Sequence, residues 1–209
     1  SRWLNYSRLA KNFLGVAAEP FTDRYRSYVG MYSAAEARSL MRHPPATRFD
    51  AIAEAFATAG GEDPLARMFA VDALTQMPDD LLMLTDKMTM AASLECRVPL
   101  LDHELVELAA AIPAQHKIAG GELKALMKKA LSDVLPQEVL YRPKRGFGAP
   151  MGAWLKGALA EMLGNALSPR SLEARGLLDP APVARLIEDH RANRVDGTDK
   201  LLALLNLEL

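Results

Sequence analysis

Leucine and alanine dominate the apolar positions of this chain, whereas isoleucine and valine are sparse. Leucine and alanine favour helices, and β-branched residues are the ones that favour strands. No stretch of five or more residues alternates cleanly between apolar and polar side chains, which is the pattern of a half-buried strand. Half of the 209 residues are hydrophobic, which is enough for a sizeable core. We therefore predict an all-α fold without a strand.

Residues suited to capping mark several helix boundaries. Ser33, followed three positions later by Glu36, predicts a capping box. The pair Asp63-Pro64 combines a carboxylate cap with proline at the first helical position, and Asp102 is expected to cap a helix as well. Further helices are predicted over 6–16, 48–59, 81–92, 122–134, 182–190 and 199–207.

Composition excludes several classes of protein. The formal net charge is -1, so the chain lacks the basic excess of a nucleic-acid-binding protein. No apolar run approaches the ~20 residues that a membrane-spanning helix needs. Cys96 is the only cysteine and cannot form an internal disulfide, which favours a cytoplasmic protein. We expect its side chain to be buried or half-buried, and no histidine motif connects to it.

A charged stretch over 78–103 interrupts an otherwise apolar pattern. Within it, Asp86, Glu95 and Arg97 must be solvated, paired or directed at a ligand. Glu95 and Arg97 are close enough in sequence to orient one another. Their spacing leaves two interpretations open. The two residues could form a structural ion pair that joins helices, or they could be a catalytic pair.

A basic loop occupies residues 141–150. Arg142, Lys144 and Arg145 stand beside two glycines, which allow close backbone approach to a ligand. Lysine supplies a mobile point charge, so the loop suits phosphate or pyrophosphate, although a solvated loop between helices fits the same residues. The sequence contains no glycine-rich nucleotide motif and no Cys/His metal cluster. A phosphate-binding partner is therefore expected elsewhere, and no metal ligand is predicted.

These two stretches together resemble the synthetase domain of glutamine-dependent asparagine synthetases, of the ATP-pyrophosphatase superfamily. The similarity is strongest over 77–150 and rests on several motifs in the family's order. They are Asp86-Lys87-Met88-Thr89-Met90-Ala91, Ser93-Leu94-Glu95-Cys96-Arg97-Val98-Pro99-Leu100-Leu101-Asp102-His103, Gly120-Gly121-Glu122-Leu123-Lys124, Arg142-Pro143-Lys144-Arg145-Gly146-Phe147-Gly148-Ala149-Pro150 and, more loosely, Asp189-His190-Arg191 with the C-terminal run.

The resemblance implies a helical C-terminal portion of an α/β adenine-nucleotide-hydrolase-like synthetase domain, whose parallel sheet lies upstream and is absent here. It implies one helical domain over 1–209, with a lead-in over 1–76, a signature region over 77–150 and C-terminal helices over 151–209. The missing initiator methionine and the abrupt apolar end favour an excised segment.

The resemblance also implies chemistry for the parent protein. Such an enzyme adenylates aspartate with ATP and Mg²⁺ and transfers ammonia from glutamine, giving asparagine, AMP and pyrophosphate. Lys144 corresponds to the lysine that neutralises phosphate charge during adenylation. Asp86, Glu95, Arg97 and Arg145 are expected to face substrate or phosphate. The segment alone is expected to be inactive and to bind neither ATP nor Mg²⁺ tightly.

Two alternatives remain open at this point. The parent could be an amide- or β-lactam-forming ligase of the same superfamily with another acyl substrate. The chain could also be a helical module that binds a protein partner through its apolar faces. We expect no nucleic-acid or membrane partner, and a homodimer is an expected way to cover apolar surface.

Overall fold

The computed structural model describes residues 14–46, 49–143 and 148–209. These residues are mostly helical, so the predicted all-α class is confirmed. The chain divides into two compact units. The first combines Ser1–Arg48 with Gly146–Leu209, and the second is Phe49–Arg145. The predicted division into 1–76, 77–150 and 151–209 stays a prediction.

The elements of the described residues follow one another with short connections. Two turns depart from α-helical geometry, a π-helix at Met77–Leu82 and a 3₁₀ turn at Pro99–Leu101. Two short strands are β1 (Ile118–Ala119) and β2 (Glu122–Leu123). The α-helices are α1 (Phe21–Val29), α2 (Ala34–Leu40), α3 (Ala51–Thr58), α4 (Pro64–Leu74), α5 (Met83–Ala91), α6 (His103–Ala111), α7 (Ala114–Lys117), α8 (Ala125–Ala130), α9 (Gln137–Leu140), α10 (Met151–Lys156), α11 (Ala160–Ala166), α12 (Pro169–Arg175), α13 (Pro180–Arg191) and α14 (Thr198–Glu208).

The predicted caps are confirmed. Ser33 Oγ accepts the Glu36 backbone N–H at 3.2 Å, and a Glu36 carboxylate oxygen accepts the Ser33 N–H at 2.9 Å. Asp63 accepts the Leu65 N–H at 2.9 Å, and Asp102 likewise caps α6. Each cap satisfies backbone donors that the first helical turn leaves without partners, so short-range sequence decides where these helices begin.

The prediction of no strand and of a helix over 122–134 was wrong. β1 and β2 pair as an antiparallel hairpin, and the helix begins only at Ala125. Gly120 and Gly121 form the two-residue turn with φ of +61° and +79°, a conformation that glycine adopts without steric cost. Lys124 is also left-handed, with φ of +60°, and this breaks the backbone before the helix.

Most of the tightly buried side chains lie in the first unit. Their cluster is built almost wholly from leucine, which fits the helix-favouring composition. Helices α10 to α14 supply most of it. The cluster comprises Leu40, Leu155, Leu163, Leu167, Leu172, Leu178, Val183, Ile187, Leu201, Leu204 and Leu205.

The second unit has few buried apolar residues and many exposed ones. Its described buried side chains are Ala55, Phe56, Val71, Ala114 and Leu140. Large apolar side chains of α5 and of the segment that follows it are solvent-exposed, including Met88, Leu94 and Leu100. This unit therefore presents apolar surface that its own described residues do not cover.

None of the helices within 14–46, 49–143 and 148–209 combines the length and apolar character that crossing a membrane requires.

Candidate functional site

The two strongest sequence candidates, Lys144 and Arg145, lie outside the described residues. The neighbouring parts of the basic loop are described on both sides. Arg142 is exposed on the upstream side, and Pro150 leads directly into α10 on the downstream side. The structure therefore shows which residues contact the two ends of the basic loop.

The upstream end of the basic loop follows α9. Leu140 closes that helix and is buried. The next residue, Tyr141, lies under the Lys128 ammonium, which is 5.0 Å from the ring centroid. Lys128 Nζ also donates to the Glu122 carboxylate at 2.8 Å. A cation over an aromatic face contributes roughly 0.5–1 kcal/mol at an exposed site, so this end has a defined attachment.

The downstream end of the basic loop is held more tightly. Gly152, in the first turn of α10, approaches Thr198 so closely that a Cβ at this glycine would lie 2.5 Å from Thr198 Oγ1. The Gly152 carbonyl oxygen is 3.3 Å from Nε2 of His190, a side chain that is only 2% exposed. His190 Nδ1 accepts the Gly197 backbone N–H at 3.2 Å. The imidazole thus connects α13, α10 and the start of α14.

Sequence reasoning assigned no role to His190, although it belongs to the quoted run 189–191. The signal available was a histidine at an apolar helical spacing, which on its own indicates only a core position. Its partners lie far from it along the chain, so no local pattern could identify them.

A cavity of about 310 Å³ lies beside this histidine. Lys156 Nζ donates to Asn193 Oδ1 at 2.5 Å on one wall. On another, Thr198 donates to Asp196 from its hydroxyl and its backbone N–H, and these two bonds lower the pKa of that carboxyl. The cavity is lined by Gly152, Lys156, His190, Asn193, Val195, Asp196 and Thr198.

The structure brings Glu95 and Arg97 together. Their carboxylate and guanidinium are 2.6 Å apart, with the Arg97 side chain 82% exposed and the Glu95 side chain 68% exposed. Both residues lie in the non-helical segment between α5 and the 3₁₀ turn, so the pair does not join two helices. Exposed pairs contribute about 0–1 kcal/mol, so this one orients two polar groups more than it holds the fold together.

The turn at Ser93, which precedes Glu95 and Arg97, has a strained backbone. Ser93 ends α5 in the left-handed conformation, with φ of +58°. The Leu94 N–H donates to the Thr89 carbonyl and the Ser93 N–H to the Met90 carbonyl, both at 2.9 Å, which is a Schellman closure. This closure directs the chain out of the helix into the segment that bears Glu95.

Asp86 lies on α5 and is exposed. Among the described residues, no hydrogen bond or ion pair joins its carboxylate to Glu95 or Arg97. Cys96, between these two, is also exposed, so the expectation of a buried or half-buried thiol was wrong. Cys96 lies in the non-helical segment that follows the left-handed turn at Ser93, so no helical face packs its side chain into a core. Within the described ranges, no three acidic, His or Cys side chains are grouped to hold a metal ion.

A family model described as asparagine synthase matches residues 2–209 of this chain. The chain belongs to the asparagine synthase family. Individual proteins similar to this chain are named asparagine synthetases. A Mycobacterium bovis protein provisionally named a glutamine-hydrolysing asparagine synthetase is 35% identical over 198 residues, covering 93% of the chain and 30% of that protein. Glutamine-hydrolysing asparagine synthetase 1 of Bacillus subtilis is 32% identical over 197 residues, covering 93% of the chain and 31% of that protein.

This asparagine synthase family chain therefore spans about a third of the length of the curated relatives it matches. A glutamine-hydrolysing asparagine synthetase of Gallus gallus is 40% identical over a shorter range of 65 residues. No solved structure matches the chain.

Proposed function

We propose that this chain is part of an ATP-dependent ligase that forms asparagine. In the proposed reaction, an aspartate carboxylate oxygen attacks the α-phosphorus of ATP and releases pyrophosphate. Ammonia derived from glutamine then attacks the acyl carbon, AMP leaves with the bonding electron pair, and a proton is lost. The observation that supports this proposal is the family match over 2–209.

Lys144 is proposed as the catalytic cation. Negative charge moves onto phosphate oxygens as pyrophosphate leaves, and a fixed ammonium stabilises that charge where it develops. The neighbouring glycines and the defined attachment of both loop ends support this role, because electrostatic catalysis depends on positioning. Removing the ammonium is expected to lower the rate by roughly 10²–10³, the cost of losing one preorganised donor.

Arg145, Asp86, Glu95 and Arg97 are proposed to face substrate or phosphate. The exposure of the last three supports this, since none of them is used to stabilise the described core. In addition, the salt bridge between Glu95 and Arg97 orients both side chains. ATP and Mg²⁺ are the proposed cofactors of the whole protein, and the segment alone is proposed to be inactive.

The test is aspartate-dependent pyrophosphate release by the full-length protein. Wild type, Lys144→Ala and Lys144→Arg are compared, with Lys129→Ala, a change at an exposed lysine of α8, as a matched variant outside the basic loop. We expect wild type to release pyrophosphate. We expect the rate of release to fall roughly 10²-fold or more in Lys144→Ala but not in the matched lysine variant. Unchanged release in Lys144→Ala would leave the loop with a structural role only.

The same assay addresses the acyl substrate. If wild type releases pyrophosphate with another carboxylic acid but not with aspartate, the protein is a different amide- or β-lactam-forming ligase of the superfamily. Glutamine and free ammonium are supplied in separate reactions, because product formation from each identifies the nitrogen source.

The exposed apolar side chains of the second unit favour a second candidate, a protein-contact role. We propose that the isolated chain self-associates, as a homodimer, to cover them. Light scattering over a range of concentrations tests this, and a mass that stays monomeric throughout contradicts it.

A further inference from the structure

Three helix ends surround the cavity of about 310 Å³ beside His190. Lys156 is the last residue of α10, Asn193 follows the end of α13, and Asp196 precedes the start of α14. All of the residues that line the cavity belong to the first unit. Ligand cavities in proteins have volumes of about 300–1,000 Å³, so the volume of this one suits a small molecule.

Two opposite charges line the cavity without pairing with each other. The Lys156 ammonium donates to the Asn193 amide oxygen, and the Asp196 carboxylate accepts from Thr198. Within the described part of the first unit, neither charge forms an ion pair with another side chain. Two hydrogen bonds from Thr198, followed by the positive charge of Lys156, lower the pKa of the Asp196 carboxyl. The carboxyl is therefore ionised at neutral pH.

The polar groups of the cavity keep hydrogen-bonding capacity that the fold does not use. Both bonds from Thr198 go to Asp196 Oδ1, and no hydrogen bond from the described residues reaches Oδ2. Lys156 uses one N–H of its ammonium group, and Asn193 uses its amide oxygen, which leaves its amide nitrogen as a donor. The cavity therefore offers an acceptor on one wall and a cation with an amide donor on another.

Hydrogen bonds to the backbone hold these walls in place. The His190 side chain is only 2% exposed; its Nε2 donates to the Gly152 carbonyl at 3.3 Å, and its Nδ1 accepts the Gly197 N–H at 3.2 Å. Both ring nitrogens are used in these bonds, so neither is left for a ligand. The imidazole therefore shapes the cavity without binding what enters it, and a site shaped in advance loses less entropy on binding.

We propose that the cavity beside His190 binds a small free amino acid as its zwitterion. The ligand carboxylate accepts from Lys156 and from the Asn193 amide, and the ligand ammonium donates to Asp196. Val195 supplies apolar surface for a small side chain. The three polar residues are exposed, so we expect a weak complex with a Kd of about 1–10 mM. The inference goes beyond the proposed function and does not depend on it.

Hydrogen exchange of the full-length protein, titrated with L-alanine, tests this inference without any turnover. The peptides that cover 150–157 and 190–200 should exchange more slowly, with a saturable dependence on L-alanine up to about 100 mM. At about ten times Kd, exchange that requires the free site should slow about tenfold. If neither peptide shows saturable slowing, the inference is overturned, whether or not the protein releases pyrophosphate.

Propionate and ethylammonium are matched ligands, because each keeps part of the alanine skeleton and only one of its two charges. At the concentration where L-alanine slows exchange about tenfold, we expect each of them to slow it less than about twofold. Equal slowing by propionate means a simple anion site, and equal slowing by ethylammonium means a simple cation site. Either result overturns the inference, and both are obtained with the wild-type protein.

Two variants remove one charge each from the cavity. Asp196→Asn keeps a side-chain oxygen for Thr198, and Lys156→Met keeps an unbranched side chain. Each should raise Kd for L-alanine roughly tenfold, because each removes one charge-assisted contact. Asp199→Asn is the matched control, since it makes the same change at an exposed residue in the first turn of α14 that does not line the cavity.

The control variant should bind L-alanine with a Kd within about twofold of wild type. Slowing by L-alanine that is as large in Asp196→Asn and Lys156→Met as in wild type would be a general co-solvent effect on stability. That result overturns the inference.

Discussion

The Gly197 backbone N–H donates to His190 Nδ1, with 3.2 Å between the two nitrogens. This bond closes the junction between α13 and α14 around a buried ring. We predict that His190→Phe, which keeps an aromatic ring but cannot bond either backbone group, destabilises the protein by about 2–4 kcal/mol. Denaturant unfolding measures this change. A loss below about 0.5 kcal/mol would mean that both backbone groups find other partners.

Gly152 should not tolerate a side chain. In Gly152→Ala, the new Cβ would lie 2.5 Å from Thr198 Oγ1, so the first turn of α10 or the threonine must move. We expect a loss of stability of about 1–3 kcal/mol, the usual cost of overpacking. The double variant Gly152→Ala/Thr198→Ala removes the clashing oxygen and should recover part of the loss. Gly164→Ala within α11 is a suitable control, because the nearest atom to its new Cβ would be the Arg191 guanidinium at 3.9 Å.

Glu36 makes stability depend on acid pH. Its carboxylate accepts from Lys200 Nζ and from the Ser33 N–H, and these bonds lower its pKa from 4.5 to about 2. A carboxyl whose pKa is lower in the folded state stabilises fully above its unfolded value and loses that contribution as pH falls towards 2. Because the side chain is about half exposed, we expect Glu36→Gln to cost only about 0.5–1 kcal/mol at pH 7.

The measurement is the unfolding free energy of wild type and Glu36→Gln between pH 7 and pH 2. The difference should shrink below pH 4.5 and approach zero near pH 2, because a protonated Glu36 resembles glutamine. Glu173→Gln, a change at an exposed residue of α12, serves as the control. A difference that stayed constant across this range would exclude ionisation of Glu36 as the cause.

Tyr32 supports the same contact region. Its hydroxyl donates to the Lys200 carbonyl at 2.7 Å, and its ring lies 5.5 Å from the Lys200 ammonium. Burial, followed by the nearby Glu36 charge, raises the pKa of Tyr32 well above its ordinary value, so the hydroxyl stays a donor. We expect Tyr32→Phe to cost about 0.5–1.5 kcal/mol, measured by denaturant midpoint at pH 7, because it removes one hydrogen bond and little volume. No loss would mean that the carbonyl is equally well solvated.

Ser93 offers a stabilising substitution. Glycine removes the steric cost of the left-handed conformation that closes α5, so Ser93→Gly should raise stability by about 0.5–1 kcal/mol. Ser93→Ala keeps a Cβ and should behave like wild type. A destabilised Ser93→Gly would indicate that the serine hydroxyl has a role that outweighs the strain.

Substitutions at Glu95 and Arg97 should affect activity much more than stability. Both side chains are mostly exposed, so Arg97→Ala and Glu95→Gln should change the unfolding free energy by less than about 0.5 kcal/mol. If these groups face substrate as proposed, pyrophosphate release by the full-length protein should fall well beyond that small loss. Unchanged release in both variants would remove them from the site.

Local sequence was sufficient to predict the helical class and the caps at Ser33, Asp63 and Asp102, and it carried the motifs of the family. Each depends on groups within a few positions of one another, so local chemistry is sufficient. The hairpin at Gly120 was also encoded locally, but a two-residue turn and a helix start share the same glycines, and the pairing of β1 with β2 decided between them.

The environment of His190, the closeness of Gly152 to Thr198 and the exposure of Cys96 depend on how the helices pack, and no local pattern predicts them. The ring of His190 bonds a carbonyl 38 positions away, a contact that exists only once α10 packs beside α13. Periodicity shows which face of a helix is buried, but it cannot show which helix covers that face. The buried contact between His190 and Gly152 is therefore a property of packing, because its partners meet only through the fold.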